Sequence, residues 1–498
     1  MIVDIDPYDG KGQVFLMIYK QFGKTGKMVS ALGFGGMRFL QEDYATQEGK
    51  EKCAELLVKA NELGVNYFDT APAYCGGRSE EIFGMAFPKM KKQFYVSTKS
   101  RLSDDPDADA VQRRIEASLK KMGLEKIHFY NMWCILNLEQ YERIMRAGGP
   151  YEGALRAKDA GLIEHICFSA HCDGRDVEKI VKDGGFEGVT LGYNVINANY
   201  REQGMQAAYS GGLGVVTMNS LGGGVIPGHP EHFQFLKKDR DDNIVKAALR
   251  YNASHKAVSV VLSGMSSMKQ LLENVSAFDD FNPGSDYFEE VNRKRSSGMN
   301  DLCTGCDYCS GCPNGLEINK LMQSYNEYVF SNKNPRRLLH DLHVKWEYAQ
   351  DRIFDCIECG QCEKKCTQKL PVIERIKTIN NCVQDDLRKT RKQMERYFGD
   401  KHMRNIGIYG IGALALQLYE KYRICYPDEC SNIYLFDKDE KKWGSAPLHR
   451  EWRVHAPGDI EKFKIKRLII CNANHYEEIC RELQHLVKDE IELMQYNL

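Results

Sequence analysis

The chain has 498 residues, 43% of them hydrophobic and 28% charged, with a formal net charge of −1. That balance allows real cores over about two to four domains and offers no basic field to hold nucleic acid. No apolar run approaches the length needed to span a bilayer, so no membrane association is expected, and the opening MIVDIDPYDGKGQ lacks the basic-then-apolar order of a secretory signal.

Residues 1–16 read as a loose N-terminal extension. From Met17 to about 285, short apolar runs alternate with segments of helical spacing such as QEGKEKCAELLVKANELG. The runs are VSALGFGGM (29–37), VNYFDT (65–70), FYVSTKS (94–100), IHFYNMWCI (127–135), IEHICFSA (163–170), VTLGYNV (189–195), GVVTMNSL (214–221) and VSVVLSGM (258–265). Strand and helix alternating eight times predict a parallel (β/α)8 TIM barrel over 17–285, with a doubly wound open sheet as the alternative. In such a barrel the chemistry gathers at the C-terminal ends of the strands. The residues there are Asp69, Lys99, Trp133, Ser169, Asn194, Asn219 and Gly264.

Asp69 lies in FDTAPAY, with Tyr74 five residues on and Lys99 ending the next strand. A free tyrosine titrates near ~10, and a buried ammonium beside it favours phenolate, so Tyr74 should release its proton more readily. The plainer reading is a structural ion pair beside a loop aromatic. GKTGKMVSALGFGGMRF, GVNYFDTAPAYCGGRSEEIFG and SGMSSMKQLLENV then follow in an order that resembles the aldo/keto reductase family over about 17–280. The resemblance implies that Tyr74 gives a proton to a carbonyl oxygen while hydride arrives from a nicotinamide, assisted by Lys99 and Asp69.

The chain also departs from the family. Its fourth catalytic residue, a histidine, is replaced by Trp133, which offers only an indole N–H. Strand alternation puts Phe129, Asn131 and Trp133 on one face and His128 on the other, leaving Asn131 and His171 as further candidate donors. Met218 falls where many relatives carry a tyrosine that stacks on the nicotinamide. Gly264 and Gln270 fall where NADPH users carry Lys and Arg for the 2′-phosphate, which implies NAD(P)H with NADH preferred, or a flavin as the alternative. Ser169, Asn194, Asn219, Glu273 and Asn274 match cofactor-facing positions of the family.

Between 286 and 385 two cysteine runs flank a mostly helical insert: Cys303-x2-Cys306-x2-Cys309-x2-Cys312 and Cys356-x2-Cys359-x2-Cys362-x3-Cys366. Three thiolates at this spacing converge on one inorganic cluster, while the fourth lies too far along to close the same loop. The pattern resembles a two-cluster bacterial ferredoxin, where the fourth cysteine ligates the other cluster. It implies one [4Fe–4S] cluster on Cys303, Cys306, Cys309 and Cys366, and a second on Cys356, Cys359, Cys362 and Cys312. Zinc usually wants two separated pairs, and disulfides suit small secreted domains. The chain departs by x2 before Cys312 and by Thr367 where proline is usual. Barrels followed by such a module form an iron–sulfur subgroup of the aldo/keto reductases, which CIECGQCEKKCTQKLPV resembles. Of eighteen cysteines, these eight leave ten scattered ones (Cys430 among them), read as reduced thiols of an anaerobe's cytosol.

Residues 386–400 read as a charged helical linker, and 401–498 as a small Rossmann-like nucleotide-binding domain. There a strand, Gly410-x-Gly412-x-x-Ala415, a helix and a strand ending in Asp437 follow in order. The glycines would admit a phosphate to the helix N-terminus, and Asp437 would hold a ribose hydroxyl. A scaffold without ligand is the equal alternative.

The expectation is a cytoplasmic oxidoreductase acting on a small carbonyl or alcohol, with two [4Fe–4S] clusters and a redox partner protein. Two rivals stand beside it: a reductase whose clusters are structural, and a degenerate barrel acting as an electron-transfer or interaction subunit. Hydride moves two electrons together and a cluster passes one, so the coupled reading needs a converter that no motif supplies.

Overall fold

The computed structural model describes residues 16–498 apart from 239–242, 280, 283, 285, 296–300, 349, 400–404, 427–432, 450, 473, 487–490 and 497–498. Nearly all of the expected N-terminal extension and Cys430 therefore lie outside the described residues. A hairpin comes first, β1 (Tyr19–Gln21) against β2 (Met28–Ser30). Eight strands follow: β3 (Leu32–Gly35), β4 (Tyr67–Asp69), β5 (Tyr95–Arg101), β6 (Ile127–Ile135), β7 (Ile163–Ala170), β8 (Gly188–Gly192), β9 (Gly214–Met218) and β10 (Val260–Ser263). They close in the order β10-β3-β4-β5-β6-β7-β8-β9, every pair parallel. The expected (β/α)8 barrel is what forms.

Local chemistry sets the helix ends. The Thr46 hydroxyl accepts from the Gly49 N–H to start Gln47–Glu62, and Asp107 does the same for Ala108–Met122, which stops at Gly123 in the left-handed region. The outer helices bury their apolar faces against the strands, with Leu57, Phe68, Ile115 and Val261 all inaccessible to solvent. Inside the bore, Phe22 from the hairpin loop packs on Phe129 with ring centroids 4.2 Å apart. Tyr67, Val216 and Val260 join them and plug the N-terminal end. Only the C-terminal end stays open.

One strand breaks the expected alternation. β6 shifts register between Met132 and Ile135, with Cys134 at φ 67°. Phe129 joins the bore cluster, and Asn131 points inward to the Ser97 hydroxyl at 3.0 Å. Trp133 stays in register with Arg101 of β5, and the irregularity lies on the β7 side of the strand. A bulge adds one residue and turns the strand beyond it.

The barrel and both cysteine runs form one compact unit, which extends to Glu347 and takes up Asp355–Arg375. Within it, helices Ile318–Phe330 and Pro335–His340 fill the insert. The second unit comprises Tyr348–Phe354 and Ile376–Leu498. Helix Val372–Phe398 covers most of the stretch expected as a linker. The second unit's sheet is wholly parallel: β11 (Ile406–Tyr409), β12 (Ile433–Phe436), β13 (Val454–His455), β14 (Arg467–Ile470) and β15 (Glu492–Gln495), ordered β13-β12-β11-β14-β15. This is the strand order with which a doubly wound sheet is built. Among the described residues no helix is long and apolar enough to cross a membrane.

Candidate active site and cysteine loops

Asp69 ends β4 and Lys99 lies two residues past its register partner Ser97 on β5, so both side chains project to the same open end. They are 3% and 2% exposed. The Lys99 ammonium donates to both Asp69 oxygens at 2.8 Å and to the Tyr74 hydroxyl at 3.3 Å. The Ser97 hydroxyl also donates to Asp69, at 2.9 Å. Tyr74 is held by a tight turn whose next three residues, Cys75, Gly76 and Gly77, all have positive φ. Burial works to lower the Lys99 ammonium, yet the Asp69 carboxylate and Tyr74 together hold it above its ordinary value. The expected sign for Tyr74 is reversed. Burial raises its phenol above the ordinary value, outweighing the opposite pull of Lys99. Tyr74 therefore keeps its proton at neutral pH, with an ammonium in place to stabilise the anion when the proton leaves.

These three side chains open into a cleft of about 470 Å³, which also takes in Ser169, His171, Thr190, Asn219 and Gly264. Ser263, Ser266, Gln270 and Arg38 line it as well. The opposite wall comes from the cysteine-bearing segments: Thr304, Cys306, Tyr308, Thr367 and Gln368. The fit is close at Gly223, in the glycine run after β9. A Cβ there would stand 1.9 Å from the Thr304 carbonyl oxygen, and its φ of +67° is one that suits glycine. Tyr308, between two cysteines of the first run, places its hydroxyl 2.9 Å from His171 Nε2. Burial, then the charges of Arg201 and Lys99, press His171 down to about 3, so its ring is neutral.

The cysteines gather into two groups. Cys303, Cys306, Cys309 and Cys366 are near enough that burial first, and then the other three sulfurs, push the Cys303 thiol up to about 12. Backbone N–H groups of Gly305 and Leu370 point to the sulfurs of Cys303 and Cys366, each at 3.4 Å. Cys312, Cys356, Cys359 and Cys362 line a second, smaller hollow with Pro313 and Lys365, and Cys309 of the first group also reaches it. The last cysteine of each run thus stands with the first three of the other. Four sulfurs around a shared space, with N–H donors aimed at them, match the ligand count and second shell of a [4Fe–4S] cluster. Among the described residues no three His, Cys, Asp or Glu side chains close on a single ion.

A family model described as the aldo/keto reductase family matches residues 31–294, more than half of the chain. The chain belongs to the aldo/keto reductase family. A second model, a 4Fe–4S dicluster domain, matches residues 302–370. The chain is 29% identical over 290 residues to an L-galactose dehydrogenase of Arabidopsis thaliana, covering 52% of this chain and 87% of that protein. It is 24% identical over 314 residues to a probable voltage-gated potassium channel subunit beta from the same plant, covering 53% and 92%. Among solved structures it resembles an aldo-keto reductase from Bacillus halodurans in its holo form, at 20% identity and TM-score 0.48, covering 56% of this chain and 97% of that one.

Within this aldo/keto reductase the remaining expected residues divide. Ser169, Asn219 and Gly264 line the cleft. Asn194 is fully buried, its amide donating to the Asn219 carbonyl at 2.8 Å, so it braces that loop from behind. Glu273 accepts from the Asn243 amide at 2.5 Å, and Asn274 donates to the Ser263 hydroxyl at 2.9 Å. Trp133 packs edge-on against Tyr74, ring centroids 5.6 Å apart, with the Arg101 guanidinium over its own ring. In the second unit, Gly410 takes φ +85° and Gly412 starts helix Ala413–Cys425. Asp437 is turned inward, accepting from the Ile411 N–H at 2.7 Å and the Lys442 ammonium at 2.9 Å. Sequence reasoning missed Arg38, Arg201, Thr304 and Tyr308 as cleft residues. Tyr308 carried a weak signal, an aromatic inside a cluster loop, and the others carried none.

Proposed function

We propose that the barrel interconverts a small carbonyl compound and its alcohol with NAD(P)H, and that two [4Fe–4S] clusters exchange electrons one at a time beside it. The observation that carries this reading is the Lys99 ammonium, 2.8 Å from Asp69 and 3.3 Å from the Tyr74 hydroxyl, in the same cleft as Cys306. A bound reduced nicotinamide supplies hydride. The chain's own part is the proton: Tyr74 holds it at Oη, gives it to the carbonyl oxygen, and Lys99 stabilises the phenolate left behind while Asp69 keeps Lys99 charged. The His171–Tyr308 pair, rather than Trp133, faces the cleft where a second donor to that oxygen would stand.

The cleft's long arm, from Tyr74 past Ser169 and Asn219 to Gly264 and Gln270, suits an extended dinucleotide. Uncharged Gly264 and Gln270 favour NADH. Arg38 packs over Gly264, a Cβ on which would meet its Cγ at 2.5 Å, and supplies the cation nearest that arm. Any use of NADPH should then fall with Arg38→Ala, read as the NADPH/NADH ratio of kcat/KM. The L-galactose dehydrogenase relative puts aldoses and their lactones first among substrates to try. The channel beta subunit relative supports docking to a partner protein, and the reduced thiols of the chain support a cytoplasmic setting.

The test is anaerobic protein with reconstituted clusters, given NADH and a panel of aldehydes and aldoses. Carbonyl-dependent NADH oxidation should be present in the parent and lost in Tyr74→Phe, and NADH should raise an EPR signal from the clusters. Unchanged turnover in Tyr74→Phe would sink the barrel chemistry. Signals from dithionite but never from NADH would detach the clusters from it and favour a structural role.

A further inference from the structure

Two arginines in the first unit are buried with no carboxylate in direct contact among the described residues, although Asp173 lies within electrostatic reach of Arg201 and Asp301 of Arg375. Arg201, in helix Ala198–Gly211, is 2% exposed. Its Nη2 donates to the carbonyls of His171 and Thr367 at 3.1 and 3.0 Å. Its Nε and Nη1 have no hydrogen-bond partner among the described residues. Arg375, in the first turn of helix Val372–Phe398, is 4% exposed. Its Nη2 donates to the Asp301 carbonyl at 2.5 Å, its face lies 4.8 Å from the centre of the Tyr325 ring, and its Nη1 is unpartnered. Among the described residues neither makes a salt bridge.

A buried guanidinium with idle N–H groups and no directly paired carboxylate is an unfavourable arrangement unless an anion stands beside it. Both arginines flank the first cysteine quartet. Arg201 shares the cleft wall with Cys306 and lies within electrostatic reach of it. Arg375 lies within reach of Cys303 and Cys366. A [4Fe–4S] cluster on four thiolates is doubly negative when oxidised and triply negative when reduced, and its sulfurs accept hydrogen bonds. The charge and the idle donors both match that occupant. The second quartet is different: Lys365 is the cation lining its hollow, and it reaches out to the Ser310 carbonyl at the surface.

We propose that Arg201 and Arg375 are the counter-cations and sulfur-facing N–H donors of the cluster on Cys303, Cys306, Cys309 and Cys366, and that they set its reduction potential above that of the outer cluster. This rests on the reading that both quartets carry [4Fe–4S] clusters. Adding an electron increases the negative charge, so two fixed cations in a low-dielectric setting stabilise the reduced form more than the oxidised one. Each quartet has one exposed cysteine, Cys306 and Cys359, but Cys303 and Cys366 of the first are buried and none of the second is, which places the second quartet nearer to solvent. An electron entering there leaves the outer cluster oxidised and the inner one reduced, coming to rest beside the cleft. Arg201 and Arg375 are positioning residues in this scheme and touch no substrate.

The experiment is an anaerobic EPR redox titration of the full-length, reconstituted protein, with iron and sulfide counted first. Iron below two clusters per chain in the parent protein defeats the underlying reading, separately from this inference. With both clusters loaded, two one-electron steps at different potentials are expected. Arg201→Gln and Arg375→Gln should each lower the higher step by about tenfold in its reduction equilibrium, about 59 mV for one electron, and leave the lower step in place. Arg375→Lys should recover part of the shift. Loaded variants with both steps unmoved, or with only the lower step moved, overturn the proposal. If neither Gln variant loads iron, parent protein labelled with 15N-arginine decides by pulsed EPR. Nitrogen coupling to one reduced cluster supports the proposal, and its absence from both overturns it.

Discussion

Two Asp–Lys pairs stand at the C-terminal ends of parallel strands in this chain, and they do opposite things. In the barrel, Asp69 and Lys99 are both buried, and the ammonium's remaining direction points to Tyr74 and an open cleft. In the second unit, Asp437 also meets a lysine, but its oxygens accept from the backbone N–H groups of Ile411 and Asp439 as well. Lys442 in turn donates to the Ile411 carbonyl at 3.0 Å. The first pair leaves a proton donor facing empty space. The second ties down its own glycine turn. An acid at a strand end marks a candidate site, and what its partners leave unused decides whether chemistry can happen there.

The sharpest way to break the comparison is to remove the acid from the barrel pair. Asp69→Ala strands the Lys99 ammonium in the interior, and breaking a buried pair in this way costs about 3–5 kcal/mol. Chemical denaturation of the first unit reads it. Tyr74→Phe separates stability from chemistry, because the ring and its packing on Trp133 remain. Turnover should fall about 10²–10⁴-fold with an unchanged melting temperature. Equal stability in Asp69→Ala would mean that Lys99 loses its proton when the acid is gone.

A smaller effect tests the seam between barrel and cysteine segments. Gly223→Ala would drive a Cβ toward the Thr304 carbonyl and ask alanine to hold φ +67°. Overpacking of this kind costs about 1–3 kcal/mol. Because Thr304 lies between Cys303 and Cys306, iron retention should fall with it, while the second unit's unfolding stays in place. Normal iron retention would show that the cysteine loop moves without losing its ligand geometry.

Much of this was legible in the chain. Eight apolar runs ending in polar residues or glycine forecast the barrel, and Asp69, Tyr74 and Lys99 could be placed because strand ends are where a barrel exposes side chains. The cysteine grouping followed from the resemblance to a two-cluster ferredoxin. The bulge at Cys134 was not legible, because alternation carries no sign of a one-residue insertion. The sign of the Tyr74 shift failed because it depends on how deeply the ring is buried. Arg201 and Arg375 were invisible, and Tyr308 only faintly marked, for a third reason. Their roles exist only once the cysteine segments lie over the barrel mouth.

The smallest effect belongs to the second pair. Burial works to raise Asp437, but the Lys442 ammonium and the N–H groups of Asp439 and Ile411 outweigh it and hold the carboxyl below its usual range. A group depressed on folding contributes stability that is full above its unfolded value, near ~3.9, and is lost as pH falls through the folded value. Lys442 is partly exposed, so Lys442→Met should cost only about 1 kcal/mol near neutral pH. The variant's second unit should also give way at a less acidic pH than the parent's. Hydrogen exchange at the Ile411 amide, whose acceptor is Asp437 itself, reads both effects locally. The same measurement asks whether the glycine turn is a site. If the turn takes a nucleotide, Lys442→Met should leave Asp437 freer to meet a ribose hydroxyl, and added NADH should protect Ile411 more in the variant than in the parent. Equal protection with and without NADH in both proteins would mean that the Asp437–Lys442 latch is the whole purpose of the motif, and that this sheet keeps the form of a nucleotide fold without its ligand.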